Sequence, residues 1–456
     1  MLVELADAGM DLARVPLAHG TIADAVARVR RLRSAVPEIG IMIDLPGPKI
    51  RTAPFADGGI MLVPGQRIAV GRAEPGDHST AQRIAVDHDQ LVDDLAVGDT
   101  LAVGDGGVVL VVVERAPGSA VAEVRSGGLV QGKPGLTAPN SRISFVTPTP
   151  EDLRRLTALA AEGVDAVAVS FVRSAADIQA VRDAVGADGP MLIAKIETEE
   201  GVRQLDRIVA IADGVMVARG DLGVRMALEE VPHIQKRIIR SGVRFGRPVI
   251  TATQMLESMV TAPVPTRAEV TDVANAVLDG TSAVMLSAET AVGADPVLVV
   301  RTMARIAARA ERDFDYVGWG TDLGAQEIAG APSSPARITA AATAAGWRAA
   351  MEEDAAVIIA CTRSGNTARA ISRFRPAMPL LACTPSERTA RQLCMSWGVE
   401  TVVVGEAGST DEIVWISVQA AVEAGYARSG DVVVVLAGSP IEPEPATDTL
   451  RLVRIR

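Results

Sequence analysis

Between residues 10 and 50 the chain passes from a short extended apolar segment, DLARVPL, through the helically periodic TIADAVARVRRLRSAV, to a continuous apolar run, IGIMIDL. This pattern predicts strand, helix, strand, with Thr21 as the helix N-cap. After Arg51 the character changes. Residues 53–141 are rich in Val and Gly, in short runs such as RIAV, TLAVGDGGVVLVVV and AVAEVRSGGLV separated by turn signals, and predict a small all-β insert. From residue 150 the β–α alternation resumes. VDAVAVS, PMLIAK, GVMVA, PVITAT and TSAVMLS read as strands, with AADIQAVRDAV, GVRQLDRIVAIA and RAEVTDVANAVLDG as helices between them.

Continuous apolar strands alternating with helices mean a parallel sheet covered on both faces. A (β/α)8 barrel and a doubly wound sheet both satisfy that pattern, and seven strands are countable. Residues 319–338, with their Gly, Pro and Ser clusters, read as a linker. Residues 339–456 alternate again, with AAVIIACT, MPLLACT, TVVV and VVVVLAG as strands of a second α/β unit.

The chain has 456 residues, 48% hydrophobic, a length that predicts two or three domains. Its net charge of −11 argues against a nucleic-acid binder. No apolar run approaches the ~20 residues of a membrane span, and the N-terminus lacks a signal-peptide pattern. Cys361, Cys383 and Cys394 have no metal-like spacing and read as core thiols of a reducing compartment. The expected location is the cytoplasm. Of 45 basic residues only Lys49, Lys133, Lys195 and Lys236 are lysine, which marks them as places where a compact ammonium is wanted.

Polar residues collect just after the predicted barrel strands: Asp44, Ser170, Lys195 with Glu197, Arg219 with Asp221, Thr253, and Ser287 with Glu289. In a barrel the C-terminal strand ends form the active-site face. Glu197 and Asp221 offer hard oxygen ligands suited to Mg²⁺ or Mn²⁺. Lysine beside a divalent metal is a recurrent device for neutralising charge on a transferring phosphoryl group. ARGDLG, at 218–223, offers backbone N–H groups to an anion.

Five blocks, DLPGPKIRT, AKIETEEGV, VARGDLGV, ITATQMLESM and PTRAEVTDVANAVLDGTSAVMLSAETA, resemble the signatures of the pyruvate kinase family, and the likeness runs over almost the whole chain. The resemblance implies a TIM (β/α)8-type barrel formed by residues 1–52 and 142–320. Residues 53–141 would be an inserted β-barrel lid, and residues 335–456 a C-terminal α/β effector domain. It implies phosphoryl transfer from phosphoenolpyruvate to ADP, giving pyruvate and ATP, by a homotetramer. In this likeness Glu197 and Asp221 bind Mg²⁺ (or Mn²⁺) and Lys195 stabilises the transferring phosphoryl group. Thr253, Gly220 and Asp221 hold the substrate carboxylate beside Ser170, and Arg14 and Arg51 meet phosphates. His19 and Lys133 lie toward the nucleotide, and Asp105 is a lid residue that closes on the site. TRSGNT, with Thr362, Arg363, Ser364, Gly365 and Thr367, resembles a loop that grips a sugar-phosphate or nucleotide effector; a plain capping turn is the alternative.

The chain departs from the family at several places. Pro16, Ala18 and Leu45 stand where K⁺-binding members carry side-chain oxygens, leaving Asp44. Lys49 resembles the K⁺-independent branch, so K⁺ is not expected to be required. Pro16 and Ala18 also alter the phosphate pocket. The family's first barrel strand is absent, and the expectation is that the true start lies upstream of Met1. Arg225 replaces the usual Glu, Ala288 replaces Gly, and the lid exit reads KPGLTAP. Two other readings remain open: a non-catalytic paralogue that binds phosphorylated metabolites, and another Mg²⁺-dependent oxo-acid barrel enzyme.

Overall fold

The computed structural model describes every residue except 19, 49, 57, 105–106, 139–145, 331–334 and 440–445, and leaves undescribed the side chains at 89, 90, 326–330, 335 and 336. Its largest sheet has seven strands in sequential order: β1 (Leu12–Pro16), β2 (Gly40–Leu45), β3 (Ala166–Val169), β4 (Met191–Ile196), β5 (Gly214–Ala218), β6 (Val249–Ala252) and β7 (Ala283–Val284). All neighbours are parallel. Helices pack on the outer face, so both faces are dry and the strands can be continuously apolar.

The two-residue side-chain period sorts each strand. Ile41, Ile43, Val167, Val169, Leu192, Ala194, Val215 and Val217 face the helices in one core. Met42, Ala166, Ala168, Met191, Ile193, Met216, Ile250 and Ala252 fill the interior. Continued to the C-terminal rim, the interior series reaches Arg14, Asp44, Ser170 and Lys195. The register levels these positions, with Asp44 opposite both Pro16 and Ala168, and Ala194 opposite Val169.

The helix starts follow from local chemistry. Thr21 accepts from Asp24 N at 3.2 Å while Asp24 accepts from Thr21 N at 2.8 Å. The same reciprocal box opens the helices Pro150–Ala160 and Arg267–Leu278.

Between β2 and β3 the lid forms a six-stranded sheet around its own core of Ile68, Val70, Leu101, Leu110 and Val124. The C-terminal unit has five strands: β8 (Val357–Cys361), β9 (Leu380–Thr384), β10 (Val399–Val403), β11 (Val432–Ala437) and β12 (Thr449–Arg454), in the order β10-β9-β8-β11-β12. The first four are parallel, and β12 closes one edge antiparallel to β11.

The segment expected as a linker is instead helical. Helices Tyr316–Gly330 and Pro335–Glu352 occupy most of 319–338. Tertiary contacts override the Gly and Ser content here. Leu323 is buried in the C-terminal core, and the Trp319 indole N–H donates to Arg373 O at 2.8 Å. Gly320 fits because a Cβ there would stand 2.2 Å from the Trp347 ring.

The C-terminal unit seals the N-terminal end of the sheet. Met395 joins the interior core, with Cys394 packed beside it. A Cβ on Gly40 would lie 2.7 Å from Cys394 Sγ. Buried Asp165 accepts from Arg33 at 2.6 Å, from Arg391 at 3.0 Å and from Ile41 N at 2.9 Å. Arg375, 2% exposed, donates to Val277 O and Thr281 O and lies between the rings of Phe314, Trp319 and Trp397. No helix among the described residues is long and apolar enough to cross a membrane.

Candidate active site

The C-terminal rim gathers charges of both signs in a dry setting. Lys195 Nζ lies 2.6 Å from Ser170 Oγ, 3.2 Å from Asp44 Oδ1 and 3.0 Å from Glu197 Oε1. Arg14 Nε donates to the other oxygen of Asp44 at 2.7 Å. Burial alone would raise the Asp44 carboxyl, but Lys195 and Arg14 outweigh it and hold the pKa below the usual range. Burial also works against the Lys195 ammonium. Asp44, Glu197 and Asp221 more than offset that, so its pKa is raised and it stays charged.

Glu197 differs. Burial, then the nearby charge of Asp221, push its carboxyl above the ordinary value, with Lys195 opposing. Its Oε2 accepts from Phe171 N at 2.7 Å. Phe171 reaches that position through a left-handed backbone, φ 57°, just past β3. Thr253 and Gln254, just past β6, also have positive φ, 71° and 53°. Threonine is costly there, because a β-branched side chain crowds that conformation. The strain places Thr253 Oγ to accept from Gly220 N at 2.8 Å and donate to Ala252 O at 2.6 Å. Strained residues thus stand on two strand ends of one rim, where backbone strain makes the rim a candidate site.

Glu197 and Asp221 together fit a small hard cation. The charge of Asp221 disfavours that of Glu197, and a divalent ion would relieve it. Mg²⁺ needs only one or two carboxylates when water and substrate oxygens complete its shell. No cluster of three or more His, Cys, Asp or Glu groups suited to a metal occurs among the described residues, so zinc-type coordination finds no site there.

The other expected residues fall into separate groups. Arg51 stands on the stalk of the lid, its N–H 2.7 Å from Asp87 Oδ1 and its guanidinium 3.0 Å from Lys133 O. The Lys133 residue itself is exposed. Glu289 is fully buried and accepts from Leu256 N and Ser287 N, which makes it a brace between two loops. Arg219 likewise braces Thr253 O and Asp272. In the C-terminal loop Thr362 accepts from Gly365 N at 2.9 Å and Thr367 bonds Thr447 at 2.8 Å, both buried, while Arg363 reaches toward Glu406 at 3.7 Å. The Ser364 carbonyl accepts from Arg369 at 2.6 Å. His19, Lys49 and Asp105 lie outside the described residues. Phe171 was not legible in the sequence, where nothing distinguishes a Phe with positive φ from one that continues the strand.

A parallel sheet of barrel type with strained residues, a lysine and a carboxylate pair gathered on its C-terminal rim is the frame of a barrel enzyme. The comparisons specify which. A family model for the pyruvate kinase barrel domain matches residues 1–300, and one for the pyruvate kinase alpha/beta domain matches residues 340–453. Proteins named pyruvate kinase from Geobacillus stearothermophilus and Clostridium acetobutylicum are each 38% identical to it, over 99% and 98% of this chain and 77% and 94% of theirs. One from Mycobacterium intracellulare is 39% identical over 100% of this chain and 95% of its own. The chain belongs to the pyruvate kinase family.

Proposed function

We propose that the chain is a phosphotransferase that moves the phosphoryl group of phosphoenolpyruvate to ADP, giving pyruvate and ATP. The carrying observation is Lys195, held by Ser170, Asp44 and Glu197 at 2.6–3.2 Å on the barrel's inner face. A fixed ammonium at that point stabilises negative charge that develops on a transferring group, and in a dry site it needs no solvent reorganisation. Mg²⁺ or Mn²⁺, held by Glu197 and Asp221, would supply further charge neutralisation. Thr253 Oγ and the N–H groups opening the helix Arg219–Arg225 would orient the substrate carboxylate, and the hydroxyl, once released from Ala252 O, would hand a proton toward the enol carbon. Arg14 and Arg51 would meet phosphates, and the lid would close over the nucleotide with Lys133.

Two features support activity without K⁺. Pro16, Ala18 and Leu45 offer no side-chain oxygen. Both oxygens of Asp44 are engaged, Oδ2 by Arg14 and Oδ1 by Lys195 and Ser170. The assay is pyruvate formation from phosphoenolpyruvate, ADP and Mg²⁺ in K⁺-free buffer. Turnover that disappears in Lys195→Met upholds the reading. Absence of turnover with and without K⁺ rejects it in favour of a non-catalytic, ligand-binding relative. A homotetramer and a phosphorylated effector at residues 362–367 belong to the same proposal; sedimentation and rate measurements with sugar phosphates or nucleotides check them.

A further inference from the structure

Arg225 closes the helix that begins at Arg219, one turn beyond Asp221, so the two side chains share a helix face. Its guanidinium lies 5.2 Å from the centre of the Phe171 ring, on the residue whose N–H grips Glu197. Its Nε is buried without a hydrogen-bond partner. Among the described residues the guanidinium makes no hydrogen bond or ion pair. Burial disfavours its charge, the fields of Asp221 and Glu197 favour it, and Arg173 adds a second cation nearby.

This arrangement carries a cost. Arg225 is only half-buried, so its charge costs less than a fully buried one, but its buried, unpaired Nε calls for an explanation. The aromatic face returns only about 0.5–2 kcal/mol. The two carboxylates in reach are those suited to the divalent metal. Once their charge is committed there, Arg225 and the metal repel each other unless an anion lies between them. A phosphate meets that requirement, because the planar guanidinium fork matches its oxygens in pairs.

We propose that Arg225 binds a phosphate of the reacting substrates, as a cation at the mouth of the site. The inference rests on the phosphotransferase reading above. The phosphate belongs either to phosphoenolpyruvate or to ADP, and binding measurements separate the two.

The test is calorimetric titration of the full chain with phosphoenolpyruvate and, separately, with ADP, each with Mg²⁺, for wild type, Arg225→Met and Arg225→Lys. In Arg225→Met one of the two affinities should fall by about tenfold or more. Arg225→Lys, which keeps the charge but not the fork, should recover part of that loss. Mn²⁺ binding without substrate, read by electron paramagnetic resonance, should tighten in Arg225→Met because a neighbouring positive charge is gone. Folding is checked by circular dichroism, and Arg225→Lys carries the comparison should the methionine variant not fold. Wild type that binds both substrates, with variant affinities within about twofold, overturns the proposal alone and leaves Arg225 a packing partner of Phe171. Wild type that binds neither substrate overturns the kinase reading and this proposal with it.

Discussion

Lys195 and Glu197 stand two residues apart at the end of one strand, and their side chains meet as a buried ion pair, Nζ to Oε1 3.0 Å. The period of the strand turns both toward the interior, where Asp44 approaches Lys195 from β2 at 3.2 Å. One ammonium thus ties the metal-suited carboxylate to the second barrel strand. Lys195→Met should lower phosphoenolpyruvate-to-ADP turnover by about 10²–10³ or more. Steady-state kinetics on folded variant protein measures this, and a loss under about tenfold would remove Lys195 from the mechanism.

Asp44 sets a pH dependence. Its folded-state pKa is depressed by Lys195 and Arg14 against its burial. The stability it contributes is therefore fully present above the ordinary aspartate value of about 3.9 and is lost as pH falls through the lower folded value. Asp44→Asn should cost about 1–3 kcal/mol at pH 7, because half-buried Arg14 loses its ion-pair partner and Lys195 loses one of its two. In urea unfolding the gap to wild type should narrow as the pH drops below about 4. A gap independent of pH would show that Asp44 acts through packing.

Asp165 predicts a domain-coupling phenotype. It is fully buried and holds Arg33 and Ile41 of the barrel together with Arg391 of the C-terminal unit. Asp165→Ala should destabilise by about 3–5 kcal/mol, since it removes the buried carboxylate that two guanidinium groups share. All four tryptophans lie at 319, 347, 397 and 415, so fluorescence follows the C-terminal side while circular dichroism follows the whole chain. Their unfolding curves should coincide in wild type and separate in the variant; coincidence in both would show that the seam does not depend on Asp165.

The thiols should be inert in the native state. Burial pushes Cys361 up to about 12 and Cys383 up to about 11, and it raises Cys394 as well. A thiol-disulfide reagent at pH 8 should find no reactive group until denaturant is added, and then three. Rapid labelling of native protein would contradict the burial.

Much of the sheet and the placing of the candidate site on its rim were legible in the sequence. Apolar runs of strand length defined the seven parallel strands, and the first polar residue after each run marked the rim. Other parts were not legible. The Gly- and Ser-bearing stretch at 319–338 reads as a linker because its helix depends on Trp347 and Arg373, distant in sequence. Strand β12 is not legible in the sequence because its edge position leaves an alternating segment, TLRLVR, in place of a solid apolar run. Glu289 stands at a strand end like the other carboxylates, but it is fully buried and ties Leu256 N to Ser287 N as a brace between two loops.

By itself the sequence determined the elements, their parallel arrangement and the chemical types collected at the strand ends, because hydrophobic period and capping are local properties of the chain. Only the tertiary structure decided which of those groups meet. Whether Lys195 faces Asp44, whether Phe171 turns its N–H toward Glu197 and whether Arg225 is left unpartnered depend on register and on contacts between residues far apart in sequence. Those are settled by the pairing of the strands in the sheet and by its burial against the C-terminal unit, where the free energy of an interior charge depends on every neighbour at once.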